Sequence, residues 1–212
     1  MARTGRPRNS SIDDAILAAV AELVVERGYP RVTVDDVVGR AGTSKPAFYR
    51  RFRDLADVVP RLLAARHGLD DDIDTGSLVG DLVEVQRRQR LLFTDPVVTR
   101  GFAGWAAEMD SSPQRAEPFV AGYLAPRRRQ TEVLLDRAVS RDEIGAGADA
   151  GWIADLLTAP LLMHVVMPGL PPVDARLVTG TIHAALDALR YTGDRSGASR
   201  PDPAPTAHED RA

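Results

Sequence analysis

Residues 33–53, TVDDVVGRAGTSKPAFYRRFR, constrain the chain more than any other stretch. Thr33 is placed to accept the backbone N–H groups that open a helix, and Asp36, three residues on, completes a capping box. Val34, Val37 and Val38 share one face at spacings of three and four. Ala41 is small enough to let two helices cross closely. Gly42 can take the positive φ that ends the first helix. Ser44 is a good N-cap for a second, and Pro46 falls in its first turn, where no intrahelical donor is lost. That second helix carries Lys45, Tyr49, Arg50 and Arg51, with Phe48 and Phe52 four apart as anchors. Two short helices joined by a glycine turn, the second one basic, form the helix-turn-helix layout. The competing reading is a helical hairpin with a solvated basic face.

The flanks add two more helices. Ser11 to Arg27 reads as a first helix, with Ser11 and Asp14 as a capping box. Its apolar stripe is Ile12, Ile16, Ala19, Val20 and Leu23, which would pack on Val34, Val37, Val38 and Phe52. Gly28 ends it, and Tyr29 is expected to fold back on the same core. Ahead of it, residues 1–9 read as a flexible basic arm. Its Arg3, Arg6 and Arg8 either reach DNA or form a tail with no role. After Asp54 a fourth helix begins, with Leu55, Val58, Val59, Leu62 and Leu63 as its apolar face. Pro60 inside it predicts a kink near residues 56–60.

From Ile12 to Phe52 the chain resembles the N-terminal domain of the TetR family of bacterial transcriptional regulators. The likeness rests on Ile16, Ala19 and Leu23, on Arg27-Gly28-Tyr29, on Thr33 through Val37, on Ala41 through Lys45, and on Phe48 through Phe52. A looser likeness runs over Leu124 through Arg128. The resemblance implies an all-α protein. A three-helix, helix-turn-helix DNA-binding domain (10–53) is joined by a fourth helix and an acidic linker (54–76) to a helical ligand-binding and dimerisation domain (77–192). The expected DNA-binding residues are Thr43, Ser44, Lys45, Ala47, Tyr49, Arg50, Arg51 and Arg53. Lys45 is expected on bases and Tyr49 on a phosphate. The family commonly has a threonine where Ala47 stands, and a lysine where Leu55 stands; Arg53 is the expected substitute for that lysine.

Charge is divided along the chain. Residues 1–67 hold 12 basic and 8 acidic side chains, and residues 68–212 hold 15 and 22. A basic lobe beside an acidic one suits contact with phosphates at one end only. There is no cysteine, which removes disulfides and thiolate metal sites and fits a reducing cytoplasm. No run of eighteen apolar residues suggests a membrane span, and no apolar signal segment follows the N-terminus.

Helices are expected at about 77–93, 96–109, 113–140 (broken at Pro118 and Pro126), 149–167 (kinked at Pro160) and 174–191. The tail from Gly193 reads as disordered. Aromatic and methionine side chains concentrate in the middle helices. They either fill a core or line a cavity for a small, largely apolar effector. The expected pocket is Phe102, Trp105, Met109, Tyr123, Arg127, Leu157, Leu161 and His164. The last two helices resemble the family's dimer-forming pair, with Trp152, Leu156, Ala159, Val178, Ile182, Ala185 and Leu186 as the expected interface between two copies. Neither His164 nor His183 has a partner at metal-ligand spacing, so no metal is expected, nor any other cofactor.

Gly145-Ala146-Gly147-Ala148-Asp149-Ala150 fits G-x-G-x-x-A, but a helix rather than a strand precedes it, so it reads as an inter-helix loop and not a dinucleotide site. No other catalytic motif is present, and an enzyme is not expected. The reading is a ligand-responsive regulator, a repressor, that binds palindromic double-stranded DNA as a homodimer. The alternative is a helical sensor of small molecules that has lost DNA binding and works through a protein partner.

Overall fold

The computed structural model describes residues 10–199, and no strand occurs among them. The basic arm expected over 1–9 and the last part of the tail, 200–212, lie outside the described residues. Helix α1 spans Ser10–Arg27, so Ser11 lies inside its first turn rather than capping it. A short 3₁₀ turn follows at Tyr29–Arg31, and then α2, Val34–Arg40. Thr33 accepts from the Asp36 N–H while the Asp36 carboxylate accepts from the Thr33 N–H, and both halves of the capping box are present. Gly42 turns the chain with φ +61°, and α3 is a five-residue helix, Lys45–Tyr49. Helix α4, Leu55–His67, is capped by Asp54 and continues through Pro60.

Serine and aspartate caps also open the longer helices. Ser77 caps α5 (Leu78–Thr94), Asp95 caps α6 (Pro96–Asp110) and Asp149 caps α9 (Ala150–Val166). Between them the expected helix 113–140 is segmented. It becomes α7 (Pro113–Phe119), a π-helical stretch at Val120–Leu124, and α8 (Ala125–Ser140). Pro118 and Pro126 flank the π stretch. Each proline lacks an N–H for the α-helical ladder, which favours the wider turn between them. Asp174 caps α10, Ala175–Ala188. The glycine-rich segment at 145–150 runs from a loop into the first residue of α9.

Two expectations give way here. The acidic segment 68–76 is stitched to the second lobe rather than solvated throughout. Asp70 is 3% exposed, Arg88 pairs with Asp72, and Arg137 donates to the Ile73 carbonyl at 2.7 Å. The tail is also ordered as far as it is described. Residues Ser196–Ser199 form a helical turn, Ala198 is buried against α5 and α10, and Arg195 pairs with Asp187. Glycine, serine and charge dominate residues 193–199, so the buried Ala198 methyl and the Arg195 contacts that hold them are not visible in the average.

Apolar side chains form two clusters. One begins at Ile16, Leu23, Val37, Phe48 and Phe52, crosses α4, and continues through Phe93, Val98, Trp105 and Tyr123. It therefore joins the N-terminal helices to the near end of the second lobe. The other lies between α5, α8, α9 and α10, around Leu78, Leu82, Leu134, Leu157, Ile182 and Leu186. Helix α6 makes the junction between lobes, where two glycines remove bulk. A Cβ on Gly104 would lie 2.5 Å from Pro30 Cγ, and one on Gly101 would lie 2.9 Å from Val24 Cγ1. Next to them Tyr29 donates to Glu108 Oε2 at 2.5 Å, and burial pushes its phenol well up from the usual range.

Candidate DNA-binding face and ligand cavity

The short α3 is held from behind. Phe48 and Phe52 are fully buried, and the Arg61 guanidinium lies over the Phe52 ring at 4.9 Å. Arg40 of α2 pairs with both Glu22 and Glu26 of α1, and Arg27 pairs with Asp36. With its rear fixed, α3 presents Ser44, Lys45, Tyr49 and Arg50 to solvent, with Thr43 half-buried beside them. Tyr49 is 55% exposed. Lys45 Nζ lies 2.7 Å from Asp35 Oδ1, and that contact raises the ammonium's pKa. Both groups are exposed, so water screens the pair and it is readily exchanged for a phosphate or a base edge.

Two residues expected on this face do not reach it. Ala47 is buried. Arg51 turns inward, with its Nε 2.5 Å from Asp13 Oδ1 and its Nη1 donating to the Ala47 carbonyl at 2.9 Å. It braces α1 against the end of α3. Arg53 is exposed but leans on Asp57 at 3.9 Å and on the Gln114 carbonyl at 3.5 Å.

The second feature is a cavity of about 290 Å³ in the second lobe. Leu63 and Asp70 close it on the α4 side. Val85, Gln89, Leu92 and Phe93 come from α5, and Val98 and Phe102 from α6. Phe119, Tyr123, Arg127 and Thr131 form another wall, and Ala154, Asp155, Thr158 and Leu162 of α9 complete it. Tyr123 lies on the π stretch and stacks with Phe119 at 5.8 Å. Arg127, one turn later, donates to the Tyr123 hydroxyl at 3.2 Å and pairs with Asp70 Oδ2 at 2.6 Å. Burial pushes the Tyr123 phenol up. Burial also pushes the Asp70 carboxyl up, with Arg127 and Arg88 pulling the other way.

Phe102, Tyr123 and Arg127 thus line this cavity as expected residues. Trp105 lies beside it, edge-on to both Phe102 and Phe119, and lines a separate void of about 20 Å³ that reaches Tyr29 and Val24. Met109 borders an open groove with Phe119 and Val120. Leu157, Leu161 and His164 do not line the cavity. Leu157 and Leu161 are fully buried in the two cores, because they point to the packed side of α9. His164 is on the outer side of α9, its Nδ1 2.7 Å from the Pro171 carbonyl.

A family model described as "Tetracyclin repressor-like, C-terminal domain" matches residues 72–185, and one described as "Bacterial regulatory proteins, tetR family" matches residues 16–62. The chain belongs to the TetR family. It is similar to the "Uncharacterized HTH-type transcriptional regulator YdeS" of Bacillus subtilis, at 29% identity over 170 residues, which is 79% of this chain and 84% of that one. It is also similar to the "DNA-binding transcriptional repressor TetR" of Mycobacteroides abscessus, at 27% identity over 197 residues, covering 89% and 98% of the two chains. Among solved structures, the TetR family transcription regulator SCO0332 superposes with a TM-score of 0.66 at 21% identity, over 84% of this chain and 98% of that chain. Full-length TylP from Streptomyces fradiae gives 0.61 at 20% identity, over 86% and 88%. At these identities the structural likeness speaks for the fold.

The residues expected at a dimer interface divide on the α9–α10 surface. Trp152 is 56% exposed, and Leu156 and Val178 are half-buried. Ile182, Ala185 and Leu186 are buried in the chain's own second core, because that side of α10 packs on α5 and α9. Ala159 borders the cavity. Sequence reasoning missed the cavity's polar residues Gln89, Thr131, Thr158, Asp155 and Asp70. Gln89 carried a signal, being a polar residue on the apolar stripe of Leu82, Val85 and Leu92. Asp70 carried none, since it sits in a run of aspartates that reads as solvated. No helix among the described residues is long and apolar enough to cross a membrane.

Proposed function

We propose that this regulator is a ligand-responsive repressor that binds a palindromic operator as a homodimer and is released by a small, largely apolar effector. The observation that carries the reading is the shared apolar cluster. The buried side of α3 and the aromatic wall of the cavity belong to one continuous core, so a molecule that rearranges the cavity acts on the seat of the DNA-binding face. Thr43, Ser44, Lys45, Tyr49 and Arg50 supply the contacts, with Lys45 on bases and Tyr49 on a phosphate. A dimer places two such faces about 34–36 Å apart for successive major grooves. The pairing surface is the outer stripe of α9, with Trp152, Leu156 and Met163, continued by Met167 just past its end, beside Gly180 and Ala184 of α10. Trp152, Met163 and Met167 are at least half exposed in the single chain. By linkage, the effector weakens DNA binding by the factor by which DNA weakens effector binding.

The test is binding of the purified protein to the DNA upstream of its own gene, titrated with salt, alongside light scattering on a sizing column. The expected result is a dimer whose affinity falls steeply with salt. Lys45→Ala is expected to reduce affinity for the specific site more than for random duplex; an equal loss on both overturns the base contact. A monomer at micromolar concentration overturns the dimer. Absence of salt-sensitive binding points to the alternative, a sensor that has lost DNA binding and acts through a protein partner; the inward turn of Arg51, which leaves one cation fewer on the exposed face, favours that alternative.

A further inference from the structure

We infer that the large cavity takes an uncharged, ring-bearing molecule that presents hydroxyl or N–H donors, and that it discriminates against carboxylates. The inference rests on reading this cavity as the effector site. Among the described residues, four buried side-chain atoms lack a hydrogen-bond partner, and two of them, Asp70 Oδ1 and Gln89 Oε1, belong to residues that line it. Both are acceptors. Both residues are also held by their other polar atom: Gln89 Nε2 donates to Thr158 Oγ1 at 3.1 Å, and Asp70 Oδ2 pairs with Arg127 at 2.6 Å. Gln89 is 7% exposed and Asp70 is 3% exposed. A buried acceptor without a donor is costly, and a ligand hydroxyl or N–H removes that cost. An ether or carboxylate oxygen cannot.

Charge argues the same way. The cavity's two guanidinium groups, Arg127 and Arg128, are each paired with a carboxylate that also lines it, Asp70 and Asp155 respectively. An anionic ligand therefore meets no uncompensated cation and approaches two acceptors that lack a hydrogen bond, Gln89 Oε1 and Asp70 Oδ1, the second with Arg88 Nη1 at ion-pair distance, 3.8 Å. The remaining wall is flat and apolar, with Phe93, Phe102, Phe119 and Tyr123. The volume of about 290 Å³ is just below the ~300–1,000 Å³ typical of small-molecule sites, which suits a ligand of two or three rings.

Three probes on one ring system test this: naphthalene-2,6-diol, 2,6-dimethoxynaphthalene and naphthalene-2,6-dicarboxylate. Each is titrated calorimetrically into the full chain with no DNA present. The diol is expected to bind about tenfold or more tighter than the diether, with the dicarboxylate weakest; tenfold corresponds to about 1.4 kcal/mol. Gln89→Leu is expected to shrink the diol's advantage to about threefold or less while leaving the diether's affinity in place. Should Gln89→Leu lose its cooperative melt, Gln89→Met, which keeps the side-chain length, serves instead. Equal binding of diol and diether, tightest binding of the dicarboxylate, an unchanged advantage in the Gln89 variant, or no binding of any probe at about 1 mM overturns the inference. Adding operator DNA to the diol complex is a separate measurement. If the diol binds at Gln89 and DNA stays bound, the ligand class stands and the repressor reading fails.

Discussion

The two apolar clusters are similar in composition and differ in how they are filled. The second, between α5, α8, α9 and α10, holds Ile73, Leu78, Leu82, Leu134, Leu157, Ile182 and Leu186, each almost wholly excluded from solvent. The first runs from α3 to Tyr123 and has gaps along it. It borders the void of about 20 Å³ and most of the apolar wall of the 290 Å³ cavity, to which the second cluster adds only Val85. Each cluster has one partnerless buried polar atom beside it, Trp105 Nε1 at the first and Gln86 Oε1 at the second. Close packing resists change, whereas a cluster with spaces beside it has room to rearrange. The proposed effector would thus act on the core that borders open space and not on the filled one.

Four substitutions or conditions can break or sharpen that contrast. The largest effect is expected from Leu186→Ala in the filled cluster, a loss of about 2–5 kcal/mol measured by denaturant unfolding. In molecules that remain folded, the ratio of DNA affinity with and without effector should stay as it was; a changed ratio breaks the contrast. Next is Gly104→Ala, which forces a methyl group against the Pro30 ring and should cost about 1–3 kcal/mol. Here the DNA affinity should fall by more than the effector affinity, because the displaced group is the N-terminal lobe. Tyr29→Phe removes the hydroxyl that donates to Glu108 and should cost about 1 kcal/mol in thermal unfolding.

The smallest effect concerns His67, whose Nε2 is 2.9 Å from Asp95 Oδ2, where Arg66 also binds. Burial lowers the His67 pKa, although Asp95 opposes the shift. The folded state thus binds this proton less readily than the unfolded chain, whose histidine titrates near 6.5. Stability present above about pH 6.5 should fall as the pH drops through that value towards the lower folded pKa. Melting temperatures at about pH 7.5 and 5.5 check this, and His67→Gln should flatten part of the slope.

Local rules made much of the fold legible. Caps at Thr33, Ser44, Asp54, Ser77, Asp95 and Asp174 are where short-range hydrogen bonding puts them. The anchoring pair Phe48 and Phe52 was equally readable, because spacing alone sets the face of a helix. The side-chain direction of Arg51 was not, since it depends on Asp13, 38 residues away. The cavity was half legible. Aromatic residues announced it, yet which side of α9 they met depended on how α9 is rotated against α5, and so Leu157, Leu161 and His164 fell elsewhere. Ile182, Ala185 and Leu186 show the same limit, as an apolar stripe does not say whose core it serves.

Pro30 lodged against Gly104 has one more consequence. A ring seated where even a methyl group would collide sets the closest approach of the two lobes at that point. On the proposed reading, any movement of α6 towards Pro30 therefore has to be shared by the helices that follow it, while the small void beside Gly101 leaves the opposite direction open.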